Sequence, residues 1–500
     1  MLNGIDLFQK STFTTLSELL AYFFLFTVPF VSFYFYAIFS RIISRPIRLI
    51  WLAQALIYIF LFILVFPGFI SFDDLTLAAA VSDGAPSGWH SLTYSFLASS
   101  GYILFGGFGL TGAINLLLFL LISLKIYLAV SESQLKKSHK LYLALLVLLL
   151  TLHPLNQSQI FYSCRDTVFS LLVFLLGLHY LFMKKMWTYG GIIIFVMALV
   201  LLGDLKQEAK LYLVLFPMIF YFLKKWNYRQ LMFYGFVISV FGYGYYQVTY
   251  DFFRVKSYSR SYEVTAYVLP LSQIFHDKMP SEIPEEHYKN IDAVLAVNLL
   301  RSKFNPIDID PFHAGAFNRN ASEAEWQSFK KSAKELIIEN PALFLKNRIY
   351  LFQSMLHIGH VPLVISDSFR GQLSVGLTAA FERLKIDKST IHTSPLSSLY
   401  RKALYFLTAA ANPLSVIIST FLPPLFLLIG CLFFVRFSPS LVAFAFLFAA
   451  RIPILFLLAP ASYTKYIYPL FLFFTFVPAL LVLHYLEPKI KSESVSQSRM

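Results

Sequence analysis

A chain of 500 residues in which 57% are hydrophobic, 18% aromatic and only 14% charged is not a water-soluble globular protein, since a soluble chain carries about a quarter charged residues. The formal charge of +14 does not point to nucleic acid, because the bases form short clusters between apolar blocks and not one patch interleaved with aromatics. The two cysteines, Cys164 in a short loop and Cys431 inside an apolar block, exclude a disulfide framework.

The apolar blocks approach the roughly 20 residues that cross a hydrocarbon core. They lack the alternation of a barrel strand, so helices that satisfy their own backbone are predicted. The first block, about 18–40, is too long for a signal-peptide core and has no basic lead-in, which predicts a retained helix. Further spans are predicted at about 48–67, 109–130, 140–153, 167–183, 187–203, 209–223, 230–249, 414–435, 439–458 and 467–486. Between them, connections rich in base alternate with connections that are not. Arg41, Arg45 and Arg48, then Lys136, Lys137 and Lys140, Lys184 and Lys185, Lys224, Lys225 and Arg229, Arg436, and finally Lys489 and Lys491 form one set. The other set holds Asp73, Asp74 and Asp83 without a base, then mixed loops around Arg165 and Lys206. The positive-inside rule makes the first set cytoplasmic, with the N-terminus outside and the C-terminus inside.

Residues 250–400 break this rhythm, with balanced acids and bases and several prolines. By parity they lie outside. The predicted layout is an N-terminal transmembrane region (1–249) with a first outer acidic loop (68–92), an extracytoplasmic helical segment (250–413), C-terminal transmembrane helices (414–486) and a cytoplasmic tail (487–500). Within the outer segment, 284–302 and 322–340 read as amphipathic helices. Asn340-Pro341 opens a further helix, expected to lie along the interface with Tyr350, Phe352 and Met355 toward lipid. A crossing at 349–365 is the alternative. The expected architecture is an all-α integral membrane bundle of about 11 transmembrane helices with a large extracytoplasmic helical segment.

The first outer loop carries the most specific chemistry. Asp73 and Asp74 follow a span by only a few residues, where carboxylates need a cation, a hydrogen-bond donor or a structural partner. One of them is suited to take a proton from an acceptor hydroxyl, or to hold a divalent metal, Mg or Mn, against a phosphate leaving group. The competing structural role is capping of a helix that starts at Leu75. Trp89 offers an aromatic face for a sugar or an interface anchor, and His90 a contact to phosphate or to a loop carbonyl. The later outer loops supply Arg165 beside Asp166, Lys206, Glu208 and Lys210 together, and Lys465-Tyr466. Bases at this depth suit a lipid-linked phosphate, or snorkel to the interface. Arg451, inside AARIPILFLL, is expected to meet a substrate phosphate or an acid such as Glu208. His179 and Asn115 are explained by helix–helix hydrogen bonds.

Spread over most of its length, the chain resembles bacterial membrane glycosyltransferases of the GT-C class, in their uncharacterised branch with a long loop late in the chain. The residues that carry the resemblance are Asp73-Asp74, Trp89-His90, Arg165-Asp166, Lys206-Gln207-Glu208, the segment 268–295, Asn340-Pro341, and Lys465-Tyr466 with Pro469. The chain departs from the pattern in having Ser91 where Pro usually follows Trp-His, Leu and Ala where a Gln follows the acid, and Lys-Tyr for Arg-Tyr. The resemblance implies an enzyme of the bacterial inner membrane that uses a polyprenyl-phosphate-linked sugar donor. It would transfer the sugar to a glycan or lipid acceptor on the outer face, with a first-loop Asp as base. A surface-glycan polymerase or ligase and a non-enzymatic lipid or glycan transporter are the rival readings.

Overall fold

The computed structural model describes residues 16–19, 44–66, 68–69, 91–105, 109–162, 164–181, 188–248, 259–357, 394–408, 413–433, 438–459 and 461–497. Among them all regular structure is helical, apart from two isolated bridges, Phe69 with Tyr162 and Leu295 with Phe317. The chain divides into two compact units: residues 1–255, 366–449 and 468–500 form the first, and 256–365 with 450–467 the second.

The first unit contains α1 (Arg45–Val65), α2 (Leu92–Phe105), α3 (Gly109–Glu132), α4 (Lys137–Thr151), α5 (Pro154–Ile160), α6 (Arg165–Leu181), α7 (Tyr189–Leu205), α8 (Lys210–Phe222) and α9 (Tyr228–Gln247). These fall on the predicted spans, except that α2 and the short α5 lie where no span is expected. The span predicted at 18–40 lies almost wholly outside the described residues. At the centre runs α3, against which α1, α2, α4 and α6 all pack.

Polarity in this unit is inverted relative to a soluble protein. Along α1, Leu49, Leu52, Leu56, Phe60 and Ile63 recur on one exposed face, while Gln54 is fully buried and accepts a hydrogen bond from the Tyr127 hydroxyl. Tyr142, Leu145 and Leu149 of α4 and Met232, Phe236 and Tyr243 of α9 are likewise exposed. An apolar surface of this extent in water would be an aggregation site, and against lipid tails it is the expected surface. Helix association then rests on packing and on internal hydrogen bonds. Asn115 donates to the Tyr162 carbonyl at 2.9 Å, and Asn156 donates to Thr475 Oγ1 at 3.0 Å and accepts from the Tyr468 hydroxyl at 3.3 Å. His179 Nδ1 meets Lys125 Nζ at 2.9 Å. His179 thus joins helix to helix as expected, whereas Asn115 ties its helix to the connection between α5 and α6. Rings fill the rest: Phe174 meets Phe444 and Phe476 at 5.0 and 5.5 Å. A Cβ at Gly177 would lie 2.7 Å from the Phe444 ring, so this close approach needs glycine.

Among the described residues four helices are long and apolar enough to cross a membrane, Arg45–Val65, Gly109–Glu132, Pro439–Leu458 and Lys465–Leu483. The pair α4–α5, bent by 59°, adds a fifth if it is one span. The chain is an all-helical membrane protein. Cys164 and Cys431 are both buried, and no disulfide joins them.

The second unit holds α10 (Ser259–Asp277), α11 (Glu285–Asp292), α12 (Val297–Ser302), α13 (Asp310–His313), α14 (Glu323–Glu339) and α15 (Pro341–Met355). Here the patterning is that of a soluble domain. A capping box starts α14: the Ser322 hydroxyl accepts from the Glu325 amide and Glu325 accepts from the Ser322 amide. Its Trp326, Phe329, Ala333 and Leu336 recur at helical spacing and are buried. Asn340 ends α14, its side chain donating to the Leu336 carbonyl at 2.7 Å, and Pro341 starts α15 as predicted.

The orientation expected for α15 needs correction. Met355 is fully buried, and Leu345 and Ile349 are the exposed apolar residues. Met355 shares its helix face with Arg348 and Leu351, at i−7 and i−4, and that face is the buried one. Beyond α15, His357 has φ of 58°, is 2% exposed, and has no hydrogen-bond partner at either ring nitrogen. Burial pushes its pKa down to about 3. The folded chain therefore binds fewer protons than the unfolded chain below about pH 6.5. Stability is complete above that pH and is lost as pH falls toward 3. About 2 kcal/mol should disappear between pH 7 and pH 5. Thermal unfolding across this range should show the loss in the wild type and its absence in His357→Gln; parallel pH profiles would contradict it.

Candidate functional site

The first unit brings two predicted outer loops together at the start of α6. Asp166 occupies the first turn of this helix, where a carboxylate is favoured by the unpaired N–H groups. It is 3% exposed and accepts from Cys164 Sγ at 3.4 Å. Its main partner is Lys206, with which it forms an ion pair. Lys206 closes α7 in an extended conformation, and one 3-10 turn, Gln207–Ala209, follows before α8 begins at Lys210. This break in the helical path turns the lysine toward α6. Lys206 Nζ lies 2.5 Å from Glu208 Oε1 and 5.8 Å from the centre of the Phe169 ring. Two carboxylates thus share one ammonium in a largely dry setting, and the three side chains sum to one negative charge. Arg165 is half-buried beside them, and Lys210 stands exposed at the start of α8.

Two residues before Lys206, Asp204 makes a second junction. Its Oδ2 accepts from the Thr93 amide and from the Tyr245 hydroxyl, both at 2.8 Å. Thr93 Oγ1 and the Tyr245 hydroxyl are 2.7 Å apart. A carboxylate of α7 therefore caps the first turn of α2, a helix with no acid of its own there. Sequence reasoning passed over Asp204 as a site residue. The available signal was an acid in the last turn of a helix, which the macrodipole disfavours unless donors from elsewhere meet it.

The two junctions hold the ends of the first outer loop. At its start the Phe69 amide donates to the Phe161 carbonyl at 2.8 Å, and Phe69 bridges to Tyr162, four residues before Asp166. Gly68 has φ of 114°, and a Cβ there would lie 2.5 Å from the Phe161 carbonyl oxygen, so the approach requires glycine. Arg401, from α16 (Pro395–Thr408), covers the Phe69 ring at 5.2 Å and donates to the Val65 carbonyl at 2.8 Å. At its end, Thr93 is tied to Asp204. Asp73, Asp74, Trp89 and His90 lie between these anchors and outside the described residues.

The second unit carries the remaining predicted residues. Arg451, 3% exposed, stands at the break between α19 (Pro439–Ala449) and α20 (Ile452–Leu458). The ion pair of Glu208 is to Lys206. Lys465, in the first turn of α21 (Thr464–Gln497), is 7% exposed, with its ammonium 5.0 Å from the Tyr463 ring and 5.6 Å from the Tyr466 ring. The Tyr463 hydroxyl donates to Asp308 Oδ2 at 3.3 Å. An ammonium stacked between two tyrosines is desolvated at low cost and held in place. Among the described residues no group of three or more His, Cys, Asp or Glu is placed to hold a metal ion.

No protein-family model, no curated protein and no solved structure matches the chain.

Proposed function

We propose that this protein is a GT-C-type glycosyltransferase of the bacterial inner membrane. It moves a sugar from a polyprenyl-phosphate carrier to a cell-envelope glycan or lipid acceptor on the outer face. The observation that carries the reading is the anchoring of both ends of the Asp73-Asp74 loop beside the buried Asp166–Lys206–Glu208 group. Asp73 follows Phe69 by four residues and His90 precedes Thr93 by three. At ~3.5 Å per residue, covalent reach keeps them within about 14 and 11 Å of those anchors.

In the proposed reaction the acceptor O–H gives its proton to Asp73 or Asp74, and the acceptor oxygen bonds to the anomeric carbon. The bond from that carbon to the phosphate oxygen breaks, and the polyprenyl phosphate departs with the electron pair. Arg165 and Lys210 offset the charge it develops. Lys206, already shared by two carboxylates, positions Asp166 and Glu208 in this scheme. Trp89 and His90 contact the sugar and its phosphate. The test is transfer of labelled sugar from a polyprenyl-phosphate donor to the envelope fraction by membranes containing the chain. Equal transfer by membranes lacking it would overturn the reading.

The same proposal includes about eleven crossings, the N-terminus outside and the C-terminus in the cytoplasm. Both native cysteines are buried, so single exposed cysteines report topology cleanly. In spheroplasts, an impermeant maleimide should label Lys334→Cys at once and Gln134→Cys only after permeabilisation. The reverse order would invert the topology.

A further inference from the structure

Among the described residues the largest fully buried side chain is Arg348 of α15, at 1% exposure. Its Nη1 donates to the Ala459 carbonyl at 2.8 Å, and its guanidinium lies 5.6 Å from the Phe344 ring. Neither contact balances its charge. The ion pairs of this unit go to Arg260, His287 and Lys346, and among the described residues none reaches Arg348. A buried cation without a counter-charge is costly, and one that persists needs an anion to complete it.

The atoms left over specify the shape of that anion. Nε and Nη2 have no hydrogen-bond partner. They form the edge of the guanidinium whose two parallel N–H groups match two oxygens of one oxyanion. Adjacent on the helix, Asn347 is fully buried with neither amide atom partnered, and the Ser354 hydroxyl, seven residues beyond Asn347 on its face, is also buried and unpartnered. A carboxylate presents its roughly four acceptor positions in one plane, which the guanidinium fork half fills, whereas Asn347 and Ser354 lie on a neighbouring face of α15 from Arg348, a spread of donor directions that suits a tetrahedral group.

We infer that Arg348, with Asn347 and Ser354, forms a binding site for a phosphate-class oxyanion inside the second unit. Opening runs along α15 and α20, which meet through Arg348 with Ala459 and through Phe352 with Phe456. The ligand reaches the guanidinium edge when that seam parts. The site stands apart from the sugar-transfer reading, because no residue assigned to that reaction takes part in it.

Full-length protein in detergent, held at constant ionic strength with potassium chloride, is titrated with inorganic phosphate and, separately, with dioctanoyl phosphatidic acid. Calorimetry and thermal unfolding are followed together. Saturable binding with a rise in Tm is expected. A response to inorganic phosphate assigns a soluble ligand, and a response to phosphatidic acid alone assigns a lipid headgroup. Arg348→Lys keeps the charge but loses the fork, and should bind about ten- to a hundredfold more weakly. Asn347→Ala, which leaves the arginine in place, should weaken binding several-fold. Absence of binding by both probes in the wild type, or unchanged affinity in both variants, would overturn the proposal.

Discussion

Replacing Asp73 or Asp74 by Asn lowers sugar transfer by roughly 10²–10⁴ in one of the two variants, the range that a positioned general base contributes. Only one carboxylate needs to face the acceptor hydroxyl, so the other variant should retain most of its activity unless it caps the helix predicted from Leu75. The assay measures labelled sugar moved per unit of folded protein, with detergent-extracted protein judged by gel filtration. Loss in one variant with a normal elution profile identifies the base. Full activity in both single variants and in the double variant assigns these acids to capping and removes the base from this loop.

The second large effect is on folding. Lys206→Met strands Asp166 and Glu208, whose side chains are 4% and 12% exposed, without the ammonium between them. Removing one partner of a buried pair costs about 3–5 kcal/mol, because the charge left behind loses its closest counter-ion in a poorly hydrated setting. Yield and Tm should fall sharply. The triple variant Lys206→Met, Asp166→Asn, Glu208→Gln removes all three charges and should recover most of the loss. If Lys206 instead met substrate phosphate and nothing else, Lys206→Met would fold like the wild type and the triple variant would gain nothing.

What could be read from the chain itself depended on how loudly each segment declared its surroundings. Unbroken apolar runs such as that of α3 announce a bilayer, and α1, α3 and α14 lie where their patterns place them. The helix α2 escaped notice because Ser95, Ser99 and Ser100, residues that read as loop, stand among its buried Leu92, Tyr94, Leu97 and Ala98 and interrupt the apolar run. Its helical state depends on packing against α3, where a Cβ at Gly101 would lie 2.6 Å from Leu110 Cβ. Tertiary contact of that kind has no local signature.

The site was legible in part. The outer-loop charges Asp166, Lys206 and Glu208 were placed on one side of the bilayer by loop parity, and they do meet. Which base meets which acid was not readable. Lys206 reads from sequence as a ligand for phosphate, and the structure gives it two carboxylate partners, Asp166 and Glu208. Arg348 was hidden for the opposite reason. A lone arginine within an amphipathic stretch reads as solvated, and only the packing of α15 against α20 turns it inward.

Gly68 and Phe69 hold the start of the acid-bearing loop through backbone hydrogen bonds to the Val65 and Phe161 carbonyls, and the Thr93 amide holds its end on the Asp204 carboxylate. Lengthening a loop whose ends are already held costs little, about 0.6 kcal/mol for each doubling. In the proposed enzyme, a change in the length of the 70–90 segment is then expected to cost the frame little. A helical frame that tolerates replacement of this one insert can acquire a new acceptor or a new sugar by swapping some twenty residues, with the rest of the bundle carried over unaltered.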